Sequence, residues 1–316
     1  MKRAVSIIGC GVSGLTTAIV LQREGWDVTI YTDQATEDTT SAIAAAIWFP
    51  YKAEPRDRAS SWSKASYLEF EKLSLDPDTG VSMVPYTAVI RNEEDAWWRN
   101  ALPSEAIRKA RADEMPPSYK LGYRMRVPLI ETPLYLPYLL REFTKAGGLI
   151  VKQKIEDPKG LITSNLKVIN CAGLGARELV DDLTVYPING QIIKAHPIKG
   201  IEATSAEFPF DAAREQLAFI IPRRDCTVLG GTALKDHTDL KPVEAANKGI
   251  LERCTTLSPL VKQARIQNTV VGLRPGRDEI RLEREGNLIH NYGHGGVGYT
   301  VSWGCAFAVR DLLMNN

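Results

Sequence analysis

Residues Gly9-Cys10-Gly11-Val12-Ser13-Gly14 form a G-x-G-x-x-G string, and its setting constrains the fold more than any other stretch of the chain. Ahead of it, Val5, Ser6, Ile7 and Ile8 read as a short strand. After it, Ser13–Glu24 has the texture of a helix stopped by Gly25, and Val28–Tyr31 supplies a second, β-branched and aromatic strand. A βαβ unit therefore fills the first 33 residues. In such a unit the first glycine permits the tight turn, the second lets the backbone approach a pyrophosphate at the helix N-terminus, and the third lets helix and strand pack closely. Asp33, ending the second strand 24 residues after Gly9, is placed to accept from a ribose hydroxyl and would repel a 2′-phosphate. The spacing predicts a dinucleotide site for FAD or NAD rather than NADP, and does not separate the first two.

The α/β alternation returns further along. Met125–Ile130 reads as a strand, Thr132-Pro133 as an N-cap followed by proline in the first turn, and Leu136, Leu139, Leu140 and Phe143 recur at helical spacing before Gly147-Gly148. Leu149–Ile155 and Leu166–Asn170 follow as strands. Leu288–Tyr292 is another, running through the glycine cluster Gly293, Gly295, Gly296 and Gly298 into a helix that reaches Leu313. Two stretches differ in texture, about 50–125 and about 181–265, with more proline and tryptophan and longer strand-like runs such as Ile188–Ala195 and Leu217–Ile221. The expected architecture is α/β: a Rossmann-like dinucleotide-binding domain (residues 1–50, 126–180 and 266–316) with an inserted, mostly β substrate-binding domain (51–125 and 181–265).

Composition excludes several classes. Lysine plus arginine number 39 against 38 acidic residues, so a net charge of +1 provides no field to gather nucleic acid or anionic membrane. Ala4–Gln22 carries no charge, but glycines interrupt it and no small-x-small cleavage site follows, which argues against an export signal or membrane span. The five cysteines never form C-x-x-C and read as buried thiols of a reducing compartment. His290 and His294 have H-x3-H spacing amid glycine, without a nearby carboxylate or cysteine ligand in sequence, so no metal is expected. The C-terminal Leu312–Asn316 lacks a Ser-Lys-Leu address, and a cytoplasmic location, with a possible homo-oligomer, is the expectation.

Three further segments resemble the D-amino-acid oxidase family, in the order that family uses: Asp38–Trp48; Val271-Gly272-Leu273-Arg274-Pro275 with Ile280–Glu283; and His290-Asn291-Tyr292-Gly293-His294-Gly295-Gly296 through Gly304. The resemblance spans nearly the whole chain and implies an FAD-binding domain and oxidation of D-amino acids, with D-aspartate oxidases as siblings. On that basis the cofactor is expected against Gly9, Gly11, Val12, Ser13, Gly14 and Asp33. Thr39, Thr40 and Ser41 would supply hydroxyl and backbone donors, and the small Ala45 and Ala46 would let amides face the flavin ring. Cys171-Ala172-Gly173 is implied as a second nucleotide-contacting turn. Gly293, Gly295, Gly296, Val297, Gly298, Tyr299 and Thr300 are implied as a turn whose amides stabilise charge on the reduced flavin.

Arg274 is implied as a planar two-pronged grip on the substrate carboxylate, with the Gly296 carbonyl receiving the amine and Phe49 and Phe219 lining an apolar side-chain pocket. The resemblance implies oxygen as the second substrate. Two positions depart from the family. Phe219 stands where a tyrosine hydroxyl is usual, leaving Tyr51, Tyr299 or a water to replace it. Glu215 or Gln216 stands where vertebrate members carry an aromatic lid residue. Arg223, Arg224 or Arg277 keep an acidic substrate open, and a glycine or other amine oxidoreductase, an NAD-dependent dehydrogenase and a catalytically silent flavin protein remain alternatives.

Overall fold

Two β-sheets divide the chain in the computed structural model, which describes residues 3–162, 166–207 and 216–314. The chain opens with β1 (Ala4–Ile8), α1 (Val12–Arg23), β2 (Asp27–Thr32), α2 (Thr40–Ile43), α3 (Arg56–Leu73), β3 (Val81–Ile90), β4 (Ile107–Lys109) and β5 (Leu121–Ile130). It continues through α4 (Thr132–Lys145), β6 (Leu149–Lys152), β7 (Leu166–Asn170), α5 (Ala176–Leu179), β8 (Tyr186–Ala195), β9 (Ala203–Glu207), β10 (Gln216–Pro222), β11 (Thr227–Thr232) and β12 (Leu234–Lys235). The last elements are α6 (Glu244–Leu257), β13 (Ile266–Gly276), β14 (Arg281–Glu285), β15 (Leu288–Tyr292) and α7 (Gly298–Met314).

The smaller sheet has the order β14-β15-β7-β1-β2-β6, parallel except for the β14–β15 pair. Its central strand β1 is buried along Val5–Ile8, as expected of a strand covered on both faces, and α1 packs against α4 and α7 beside it. The chain leaves β1 toward β2 on one side and returns as β7 on the other. That reversal opens a crevice at the carboxyl ends of these strands.

The larger sheet has nine strands, in the order β12-β8-β11-β10-β9-β3-β5-β4, with β13 paired along β8. This pairing shifts the expected division of the chain. A boundary at 126 runs through β5, and β13, assigned by sequence to the nucleotide half, belongs to the larger sheet. Strand partners are chosen by distant residues, which local periodicity does not reveal.

Helix α3 is a second difference. Its buried stripe, Ala59, Trp62, Ser63, Ser66, Tyr67 and Phe70, has helical spacing but includes serines, which mute the hydrophobic period. The serines serve the contact with α7: the Gly304 amide donates to Ser66 Oγ at 2.9 Å, and a Cβ on Gly304 would lie 2.1 Å from the Trp62 carbonyl oxygen. Thr132 sits inside α4 rather than capping it. Glu131 is the N-cap residue, and Thr132 Oγ1 donates instead to the Ala42 carbonyl at 3.2 Å. Among the described residues no helix is long and apolar enough to cross a membrane.

Candidate functional site

The carboxyl ends of β1, β2 and β7 open into a cavity of about 1330 Å³ that continues across one face of the larger sheet. At its nucleotide end the turn after β1 is set by close contacts. Gly9 has φ +108°, and a Cβ there would lie 2.4 Å from the Cys171 carbonyl oxygen, while one on Gly14 would lie 2.0 Å from the Gly9 carbonyl oxygen. The Cys171-Ala172-Gly173 turn is thereby laid against Gly9, fixed by the Cys171 amide donating to the Ile8 carbonyl at 2.9 Å. Gly11 caps α1 without a side chain, and no acidic residue occupies the first turn. The helix thus presents backbone amides and the positive end of its dipole to the cavity. Asp33 is exposed at the cavity wall just beyond β2.

Thr39, Thr40 and Ser41 line the cavity, and the fold already engages their hydroxyls. Thr39 Oγ1 donates to the Thr36 carbonyl at 2.7 Å and Thr40 Oγ1 to the Leu273 carbonyl at 3.0 Å, so these protons serve the loop rather than a ligand. Ser41 Oγ accepts from the Val12 amide at 3.0 Å, tying the loop to the start of α1. Ser13, Ala45 and Ala46 line the cavity. Gly14 and Val297 do not: Gly14 is spent on packing against Gly9, and the Val297 side chain is buried in the core.

The second glycine turn, Gly293–Gly298, is held by the Gly295 amide donating to the Pro275 carbonyl at 2.8 Å and the Val297 amide to the His294 carbonyl at 3.0 Å. His294 is buried beside it, bonded to Asn291 Oδ1 at 3.0 Å, and burial pulls its pKa down to about 4. The imidazole is neutral near pH 7, so this turn offers uncharged donors. Tyr299 and Thr300 also line the cavity, but with their hydroxyls committed. Tyr299 donates to the Ser41 carbonyl at 2.8 Å; Thr300 accepts from the Phe49 amide and donates to the Phe49 carbonyl. An uncapped helix start, a glycine contact too close for any side chain and a carboxylate at the ribose position fit a dinucleotide such as FAD.

At the other end the larger sheet lines the cavity, with consecutive residues Gly272, Leu273, Arg274, Pro275 and Gly276 on β13 and alternate residues Ile188, Gly190 and Ile192 on β8 and Leu217, Phe219 and Ile221 on β10. Arg274 is half-buried and lies over Gly190, where a Cβ would fall 1.9 Å from its Nη1. Nη1 donates to the Thr232 carbonyl at 3.1 Å, and among the described residues no carboxylate pairs with this guanidinium. Burial lowers its pKa, opposed by Tyr51, yet a guanidinium keeps its proton. A Cβ on Gly296 would lie 3.7 Å from Arg274 Cδ, so the flavin-type turn and the arginine meet at one point.

Phe219 lies across Gly230, where a Cβ would be 2.0 Å from its Cζ, and Phe49 packs on Tyr86 and Trp98 at centroid distances of 5.4 and 4.9 Å. The structure thus brings Arg274, Gly296, Phe219, Phe49 and Tyr51 to one cavity. The other arginines have carboxylates of their own. Arg223 pairs with Asp225 at 2.7 Å, Arg224 with Glu131 at 2.7 Å, and Arg277 with Asp182 at 3.1 Å. Glu215 falls outside the described residues. Sequence reading missed Gly190, Tyr86 and Ser205 as cavity-lining residues, and Gly230 as the residue beneath the Phe219 ring. The two glycines carried a signal, since glycine inside an apolar strand marks close approach of another group.

A family model described as FAD dependent oxidoreductase matches residues 4–312. The D-amino-acid oxidase of Rubrobacter xylanophilus is 41% identical, with 97% of this chain and 94% of that protein covered. That of Dictyostelium discoideum is 37% identical, with 97% and 90% covered. Among solved structures, glycine oxidase from Bacillus cereus superposes with a TM-score of 0.78 at 20% identity, covering 99% of this chain and 95% of that one. L-proline dehydrogenase from P. horikoshii gives 0.79 at 16% identity, covering 99% and 93%; at such identities the likeness is one of fold.

Proposed function

The chain belongs to the FAD dependent oxidoreductase family, and from that premise we propose that it is a D-amino-acid oxidase acting on neutral D-amino acids. The observation that carries the reading is Arg274, a cavity-lining guanidinium without a described carboxylate partner, held beside the Gly293–Gly298 turn. FAD would be held by Gly9, Gly11 and the α1 amides at its pyrophosphate, by Asp33 at its ribose, and by Ala45, Ala46 and the glycine turn at its ring; when bound it supplies the two-electron oxidant, which oxygen regenerates with release of hydrogen peroxide. We read the smaller sheet as the nucleotide half and the larger as the substrate half.

Arg274 fixes the carboxylate with two parallel donors and so sets the orientation of the α-carbon. The Gly296 carbonyl receives the amine, and the apolar flank of Phe219 and Ile221 excludes water from the α-carbon. Tyr51 lines the cavity close enough to Arg274 to act on its charge, and is assigned the second carboxylate contact. The commitment of Arg223, Arg224 and Arg277 to other carboxylates supports a neutral rather than acidic side chain.

The test is the visible spectrum of the flavin-loaded protein under anaerobic conditions with paired D- and L-amino acids. Bleaching by D-isomers alone is expected; bleaching by L-isomers, or by none, would overturn the reading. A smaller effect is expected at Phe219. Its ring reaches over β11 toward the guanidinium, so the hydroxyl of a Phe219→Tyr variant adds a carboxylate contact. KM for a D-amino acid should fall about threefold to tenfold in steady-state kinetics, the equivalent of one hydrogen bond.

A further inference from the structure

Beyond Phe219, the same face of the sheet carries a polar pair that the chemistry above does not use. Ser205 on β9 is in register with Phe219, and Tyr86 stands on β3, one strand further; both line the cavity. They are 6% and 1% exposed, and their hydroxyls are hydrogen-bonded to each other. Two hydroxyls carry two protons. The bond between them uses one, and among the described residues no other group accepts the second. The surroundings are otherwise apolar, with Phe49 packed on the Tyr86 ring and Leu217 and Phe219 alongside. A buried hydroxyl proton beside an apolar cavity is costly unless a ligand meets it.

Distance sets what that ligand can be. The Arg274 guanidinium ends on β11 at the Thr232 carbonyl, and Ser205 lies two strands across and two residues along, roughly 12 Å away at the usual strand spacing and rise. The carboxylate and α-carbon of a bound amino acid span about half of this, leaving a side chain of two or three further atoms. We infer that the Tyr86–Ser205 pair reads the far end of the substrate side chain, and that the preferred substrates are D-amino acids carrying an uncharged amide at the γ or δ position, of the D-asparagine and D-glutamine kind. This rests on the D-amino-acid reading above and deepens it. Burial raises the Tyr86 pKa far above its ordinary value, so the pair stays neutral and would leave a terminal carboxylate without a countercharge.

The experiment compares wild type, Tyr86→Phe and Ser205→Ala, each flavin-loaded. Calorimetric titration with two unreactive carboxylates of equal chain length, glutaramate and hexanoate, is paired with kcat/KM for D-glutamine and D-norleucine. Wild type should prefer the amide in both measurements, and each variant should lower the amide-to-alkyl ratio about tenfold, the loss of one hydrogen bond. A wild type that prefers hexanoate, or variants that keep the wild-type ratio, would overturn the inference. If glutaramate is preferred and the variants abolish that preference while neither amino acid is oxidised, the pair's role stands and the oxidase reading fails.

Discussion

Replacing Arg274 by alanine should lower kcat/KM for any D-amino-acid substrate by about a thousandfold while leaving bound FAD at the wild-type level. The magnitude follows from two lost charge-assisted hydrogen bonds at ~1.5–3 kcal/mol each. The flavin should stay because Arg274 reaches the cavity from β13 and holds no part of the turn after β1. Arg274→Lys should recover only part of the loss. A lysine ammonium is a point charge, whereas the space over Gly190 accommodates a flat guanidinium that also spans to the Thr232 carbonyl. Steady-state kinetics with the flavin absorbance of each purified variant would decide it. An alanine variant within tenfold of wild type would remove Arg274 from the carboxylate site.

Gly9→Ala should have the second large effect, on flavin retention and stability together. The new methyl group would sit 2.4 Å from the Cys171 carbonyl oxygen, and φ of +108° is a conformation that alanine rarely adopts. Both penalties fall on the same turn, and strain and overpacking of this kind sum to about 3 kcal/mol. Because β7 must retreat to relieve the contact, the Cys171-Ala172-Gly173 turn moves away from the nucleotide. Flavin bound after dialysis should drop to about a tenth, with the urea midpoint falling in parallel. Gly25→Ala is the control. Gly25 also has a positive φ, +78°, but no atom lies within 4 Å of its Cβ position, so that variant should cost about 1 kcal/mol and keep its flavin.

The nucleotide end was legible in the sequence because each glycine of the β1–α1 turn answers to one contact at fixed spacing, so pattern and geometry coincide. The substrate end was legible only through resemblance. Arginine before proline has many fates, and nothing local to Arg274 shows that β13 pairs with β8 or that Gly190 makes room for the guanidinium. Tyr86 and Ser205 are 119 positions apart and meet only because β3 and β9 pair in parallel. The hydroxyls of Thr39 and Thr40 show what residue type alone leaves open. Their residue types suit a phosphate, but backbone carbonyls of the fold claim their protons first.

The alternation along the larger sheet separates two kinds of inheritance. Leu217, Phe219 and Ser205 face the cavity, while their neighbours Ala218, Ile220 and Ala206 form a core cluster with Ile250, Cys254 and Leu257 of α6. A change on the first set alters what the cavity admits; a change on the second alters whether the sheet holds α6 at all. Substrate range can therefore drift residue by residue without the scaffold being renegotiated. A lineage carrying this sheet can try new amines by single steps that leave the packing against α6 untouched.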